Sequence, residues 1–90
     1  MYKIELRKGF LGDLKKIPKN RHKKINDKIA ELEENPFVGK KLSGAMNNIR
    51  RLRVGDYRIA YFINEGKCVV LLLKVGHRRD FYEKLRRFYH

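Results

Sequence analysis

The sequence predicts an α+β fold: a small antiparallel sheet made of an N-terminal strand and a three-strand meander, a helical hairpin between them, and a short C-terminal helix. Three observations predict it. Apolar residues fall at helical spacing twice in succession, first Phe10, Leu14 and Ile17, then Ile25, Ile29 and Leu32. Three runs rich in β-forming residues follow, separated only by the turn signals Gly55-Asp56 and Asn64-Glu65-Gly66-Lys67. A last helical stripe, Phe81, Leu85 and Phe88, closes the chain. Ninety residues suffice for one domain, 1–90, with a modest core.

Taken in order, Tyr2–Arg7 reads as the first strand, with Tyr2, Ile4 and Leu6 on one face. Pro18 stops the first helix, and Asn20 is the predicted N-cap of the second. Lys23, Lys24 and Lys28, interleaved with Asp27 and Glu31, mark that helix's solvated side. It ends near Glu34, because Asn35 precedes Pro36 and is pushed out of the α region. Pro36–Asn48 predicts a loop. Within it, Gly39-Lys40-Lys41 lacks the upstream glycine and the following Ser or Thr of a phosphate-binding P-loop. Cys68–Val75 is nearly all apolar, as in a strand covered on both faces, which makes Cys68 a core residue of a protein in a reducing compartment. Asp80 followed by Glu83 has the spacing of a capping box for the last helix.

The charge balance narrows the function. Lys plus Arg number 23 against 10 Asp plus Glu, a formal net charge of +13. Such an excess repels itself and favours an anionic partner, either a nucleic acid or an acidic protein segment covering the same surface. The apolar runs are too short to cross a bilayer, and the first residues form no signal-peptide core. The reading is a cytoplasmic protein with no membrane partner. His22, Cys68, His77 and His90 show no metal-ligand spacing, and no cofactor motif is present. The acidic residues cluster in the second helix and in turns, which argues against hydrolysis by paired carboxylates.

The most informative stretch is Arg50–Tyr61. If Gly55-Asp56 is a two-residue turn with Val54 paired to Tyr57, then Arg53 lies opposite Arg58 and Arg51 opposite Ala60. Side chains alternate along a strand, so Arg51, Arg53 and Arg58 share one face and Arg50 takes the other. Like charges directly across a ladder repel. The arrangement suits a surface that holds a polyanion; the plainer reading is a solvated face with long basic side chains.

The whole chain resembles the RelE family within the RelE/ParE toxin superfamily. The segments that carry the resemblance are Leu14-Lys15-Lys16-Ile17-Pro18, Asn35-Pro36, Lys41-Leu42-Ser43-Gly44, Arg51-Leu52-Arg53-Val54-Gly55-Asp56-Tyr57-Arg58 and Val75-Gly76-His77-Arg78. The resemblance implies an mRNA-cleaving toxin that works in the ribosomal A site, with ribosome and mRNA as partners, held inactive by a RelB-like antitoxin. It puts the arginine that contacts the scissile phosphate at Arg58, a basic strand residue at Arg51, a further arginine at Arg78 and a proton-transfer tyrosine at Tyr82. One lysine position of the family is occupied by Ile49, which removes a charge.

Metal-free RNA cleavage needs a base for the 2′-hydroxyl, cations for the phosphorane and an acid for the leaving oxygen. Arginine suits the middle task because its planar fork grips phosphate oxygens in pairs. Arg51, Arg58 and Arg78 are the candidates. Tyr82, set among Arg78, Arg79 and Arg86, is the candidate base; the plainer reading is an aromatic ring packed on the sheet edge or stacked on an RNA base. Arg50, Arg53, His77, Arg79, Lys40 and Lys41 are the candidate substrate-binding residues, His77 also having the titration range for proton transfer. Two other functions fit the same residues: a ParE-like toxin that inhibits DNA gyrase by protein–protein contact, and a non-catalytic RNA- or ribosome-binding module.

Overall fold

Two amphipathic helices, an edge strand and a hairpin meander meet in one sheet. The structure is a computed structural model that describes residues 1–89, with side chains through residue 87, so the readings for the side chains of Phe88 and Tyr89 and for His90 fall outside it. The elements are β1 (Lys3–Leu6), α1 (Phe10–Lys15), α2 (His22–Glu34), β2 (Lys40–Lys41), β3 (Ile49–Val54), β4 (Tyr57–Asn64), β5 (Val69–His77) and α3 (Phe81–Tyr89). The strands form a five-stranded sheet in the order β1-β5-β4-β3-β2. Among the described residues no helix is long and apolar enough to cross a membrane.

The meander is antiparallel, as the turns require, but β1 joins β5 in parallel, with Lys3 beside Val69 and Leu6 beside Leu72. Its entry is set at both sides: the Tyr2 amide donates to the Glu33 carbonyl at 2.8 Å and the Lys3 amide to Cys68 at 2.9 Å. Past Leu6 the edge of β5 is closed by α1. There Asp13 accepts from Lys74 at 3.2 Å and lies 3.8 Å from Arg7, and Arg7 Nε donates to the Leu73 carbonyl at 2.7 Å.

The helical stripes do what their spacing predicts. Phe10, Ile17, Ile25 and Leu32 bury against Leu52, Val54, Ile59, Tyr61, Val70, Leu72 and Val75 on one sheet face. On the other face Phe81 and Leu85 of α3 close over Ile49, Ala60 and Leu73. A bulge between Ala60 and Tyr61 makes both coverings possible: Ala60 pairs with Lys74 and Tyr61 with Leu72. Leu73 is therefore the extra residue: Leu72 and Leu73 take opposite faces by ordinary alternation, and the bulge then returns Val75 to the helix-covered face opposite Ile59.

Four local expectations are corrected. Cys68 is exposed rather than in the core. It ends the turn before β5 in a left-handed conformation, φ 54°, with its amide donating to the Glu65 carbonyl, so the apolar run begins in the turn and not in the strand. Asn20 does not cap α2: it sits inside a 3-10 turn, Lys19–Arg21, which runs straight into the helix and leaves no side-chain cap at its start. The predicted loop 36–48 holds two 3-10 turns, Pro36–Val38 and Gly44–Met46, and the short strand β2. At α3 the Asp80 carboxylate is drawn to Lys84 at 3.0 Å, and Glu83 pairs with Arg87, in place of a reciprocal capping box.

Candidate active site

The site starts from the β3–β4 turn. Gly55 takes φ 61°, which a residue without Cβ adopts freely, and the hairpin closes in the predicted register. Val54 pairs with Tyr57, Arg53 with Arg58 and Arg51 with Ala60. Ala60 belongs to the cluster under α3, so Arg51, Arg53 and Arg58 lie on the α3 side of the sheet.

The next layer is α3. Burial of Phe81 and Leu85 fixes its roll, and the following residue, Tyr82, is thereby brought down on the hairpin. Its ring meets Phe81 edge-on, with centroids 5.1 Å apart. Arg51 Nη1 donates to the Tyr82 hydroxyl at 2.8 Å, a contact between residues 31 apart in sequence. The Arg51 Nε is buried without a hydrogen-bond partner among the described residues. The pair thus combines a guanidinium, one of whose N–H groups has no acceptor, with a phenol oxygen already receiving positive charge.

Among the described residues Arg58 is the one buried charged residue, 9% exposed. Its Nη1 donates to the Gly55 and Tyr57 carbonyls at 2.8 and 2.9 Å, which draws it toward the turn and away from exposed Arg53 across the ladder. This answers the like-charge repulsion expected from the register. Gly76 stands opposite Arg58 on β5 and carries no side chain to cover it. Arg78 reaches the same turn from the other side. Its amide donates to the Asp56 carbonyl at 2.8 Å, and its Nε lies 3.8 Å from the Asp56 carboxylate, both side chains well exposed.

The remaining candidates divide. Lys40 pairs with Arg51 across β2 and β3, so it shares the arginine face; Lys41 pairs with Arg50 on the opposite one. Arg50 is not brought to the site. It donates to the Gly39 and Phe37 carbonyls at 2.7 and 3.3 Å and lies 5.3 Å over the Phe37 ring, on the helix-covered side. His77 is also turned away: it pairs with Tyr57, which packs on the helix-covered core, and meets that ring edge-on at 5.5 Å. Its Nδ1 accepts from the Arg79 amide at 3.2 Å, which puts the proton of the neutral ring on Nε2. Arg79 is exposed in the link between β5 and α3.

Sequence reasoning missed Tyr61. Its fully buried hydroxyl donates to the Pro36 carbonyl at 2.6 Å and accepts from the Gly39 amide at 2.9 Å. Burial pushes this phenol above its usual titration range, against the lowering effects of the Gly39 amide and the Arg50 charge. A Cβ on Gly39 would run into the Tyr61 hydroxyl and stand 2.9 Å from the Arg51 carbonyl. The available signal was a tyrosine on the core-facing side of a strand, whose hydroxyl must find partners.

A five-stranded sheet with a helical pair on one face, and guanidinium groups beside a C-terminal helix on the other, defines a class. The sequence model described as ParE toxin of type II toxin–antitoxin system matches residues 4–82, and the chain belongs to the ParE/RelE family of such toxins. Its named relatives are RelE toxins. Toxin RelE3 of Methanocaldococcus jannaschii is 31% identical over 87 residues, covering 90% of this chain and 96% of that one. The RelE chain of the archaeal RelE–RelB complex from Pyrococcus horikoshii superposes with a TM-score of 0.72 at 27% identity, over 87% of this chain and 96% of that chain. Isolated E. coli RelE shares the fold, with a TM-score of 0.77 at 22% identity over 98% and 99% of the two chains.

Proposed function

We propose that this toxin is a ribosome-dependent mRNA endoribonuclease that cleaves in the A site by attack of the substrate's own 2′-hydroxyl. The observation that carries the reading is the Arg51–Tyr82 contact, made on the face that also holds Arg53 and Arg58. Tyr82 acts as the phenolate, supported by the charge of Arg51, and becomes the phenol as it takes the 2′-hydroxyl proton. The 2′-oxygen then forms its bond to phosphorus, and the P–O5′ bond breaks as the 5′-oxygen takes up a proton from water. Arg51 and Arg58 stabilise the phosphorane, Arg58 through the part of its fork not held by the turn carbonyls. Arg78, exposed beside the Gly55-Asp56 turn, grips the RNA backbone at the edge of the site. The products are a 2′,3′-cyclic phosphate and a 5′-hydroxyl end.

A RelB-like antitoxin is the proposed restraint. The net charge of +13 favours an acidic segment that folds as it wraps the toxin. The Pyrococcus horikoshii relative supports the same reading, because it was solved as a RelE–RelB complex.

The test is to programme translating ribosomes with a defined mRNA, add the protein and map new 5′-hydroxyl ends. Ends inside the A-site codon, lost with Arg58→Ala and with Tyr82→Phe, are expected. Full activity in both variants removes the assigned roles. The match to the ParE description favours one second reading, gyrase inhibition. Inhibited supercoiling by purified protein, with no new RNA ends, replaces the first reading with the second.

A further inference from the structure

The endoribonuclease reading leaves a gap on β3. Ile49, the residue at the family's lysine position, is fully buried with Phe81 and Leu85 and serves as a floor for α3. No cation from that position can reach an RNA phosphate. The neighbouring strand supplies one. Lys40 lies directly across from Arg51, and residues paired in this way share a face with Cβ atoms about 4.5–5.5 Å apart. Lys40 is exposed there.

A strand of two residues holds no register by itself, and a slip of one would put Lys41 on the arginine face and Lys40 behind it. The register is imposed from below. The Tyr61 hydroxyl bridges the Gly39 amide and the Pro36 carbonyl, and Arg50 Nη1 holds the Gly39 carbonyl. Gly39, the residue just before Lys40, fits against this latch only because it has no Cβ. All three contacts act on the chain that enters β2.

We propose that Lys40 is a substrate-binding residue that grips an RNA phosphate beside Arg51, and that Tyr61 is the positioning residue that holds it there. The inference rests on the endoribonuclease reading. It differs from that reading in assigning a role on β2, and in separating two adjacent lysines that the sequence left equivalent.

The experiment compares Lys40→Ala, Lys40→Arg, Lys41→Ala, Tyr61→Phe and the Lys40→Ala/Tyr61→Phe double variant in the cleavage assay on programmed ribosomes. Each is assayed below its own melting temperature, with Arg58→Ala alongside. Lys40→Ala is expected to lower kcat/KM about tenfold, the scale of one charge-assisted phosphate contact. Lys40→Arg restores most of the rate, and Lys41→Ala costs well under half as much. With an uncleavable mRNA carrying a 2′-deoxy nucleotide at the cut, Lys40→Ala reduces the salt slope of binding to the ribosome by about 0.7. Tyr61→Phe lowers the rate in the wild-type background and costs nothing further once Lys40 is alanine, which a loss of general stability would not produce. If Lys40→Ala and Lys41→Ala are equivalent while Arg58→Ala abolishes cleavage, this inference falls and the endoribonuclease reading stands. If Arg58→Ala is also fully active, both fall.

Discussion

The two faces of this sheet are built from the same strands and meet different fates. On the helix side the covering seals the centre of the sheet, and Ile25, Leu32, Ile59 and Tyr61 are closed off from water. On the other side the covering stops partway. Ile49 is fully buried beneath α3, and two residues further along the same strand and face Arg51 holds the Tyr82 hydroxyl. The boundary falls where Phe81 and Leu85 of α3 lie over Ile49, Ala60 and Leu73. Beyond the boundary no apolar residue is needed, and guanidinium groups can keep part of their hydration. One sheet thus carries a closed core on one face and a strongly charged surface on part of the other.

If that division is right, changes on the two faces separate stability from chemistry. The largest effect belongs to the closed face. Leu32→Ala leaves a cavity where the surroundings are packed on all sides, and it is expected to cost about 2–5 kcal/mol in denaturant unfolding. The folded fraction should cleave RNA normally. A cleavage defect larger than the unfolded fraction accounts for would show that the two faces are coupled.

The counterpart on the open face is Arg51→Ala. It removes the partner of Tyr82 and is expected to lower kcat about a hundredfold, or about 2.7 kcal/mol, the lower end for losing a positioned donor. Its melting temperature should hold or rise. The substitution removes a buried Nε without a partner and one positive charge from a chain of +13. A large fall in stability would mean that Arg51 is part of the core rather than of the site.

What was legible in the sequence follows the same division. Periodicity showed the helical stripes that cover one face, and the Gly55-Asp56 turn fixed the register that gathers Arg51, Arg53 and Arg58. Each is a short-range signal. Cys68 was misplaced because an apolar run does not reveal where a turn releases the chain into a strand. The parallel entry of β1, the separation of Lys40 from Lys41 and the turning away of His77 all depend on partners distant in sequence, whereas strand alternation already put Arg50 on the far face. Tyr61 was passed over for the same reason: its partners, Pro36 and Gly39, precede it by more than 20 residues.

Tyr61 gives the next prediction, because its hydroxyl is a polar group inside the closed face. Tyr61→Phe leaves the Gly39 amide and the Pro36 carbonyl unpaired and should cost about 1–3 kcal/mol near pH 8. The pH dependence has a definite sign. Burial raises this phenol's pKa, so the unfolded chain loses the proton first as pH rises. The stabilisation is complete below about pH 10 and is lost as pH climbs from there toward the raised folded value. Unfolding midpoints between pH 8 and 11 should therefore fall less steeply in Tyr61→Phe than in the wild type. An unchanged slope would mean that water reaches the hydroxyl and that the helix-covered face is less closed than described.

The smallest effect tests what holds α3 down. The burial of Phe81 and Leu85 and the Arg51–Tyr82 hydrogen bond tie α3 to the sheet, while the exposed Asp80–Lys84 ion pair acts along its first turn. The hydrogen bond from Lys84 holds the Asp80 carboxyl below its usual range, so the pair's contribution is present above about pH 4 and fades as pH falls through the lowered value. With both side chains about half exposed, water screens the pair, and Lys84→Ala should cost no more than about 0.5 kcal/mol at pH 7. Cleavage should be unaffected, because Tyr82 is placed by the apolar residues beside it. Unfolding midpoints at pH 7 and pH 3 measure the first expectation, and the ribosome assay measures the second. A cleavage loss approaching that of Arg51→Ala would show that charge, not burial, sets the roll of α3. The line between covered and working halves of this face would then be drawn at Asp80 instead of Ile49.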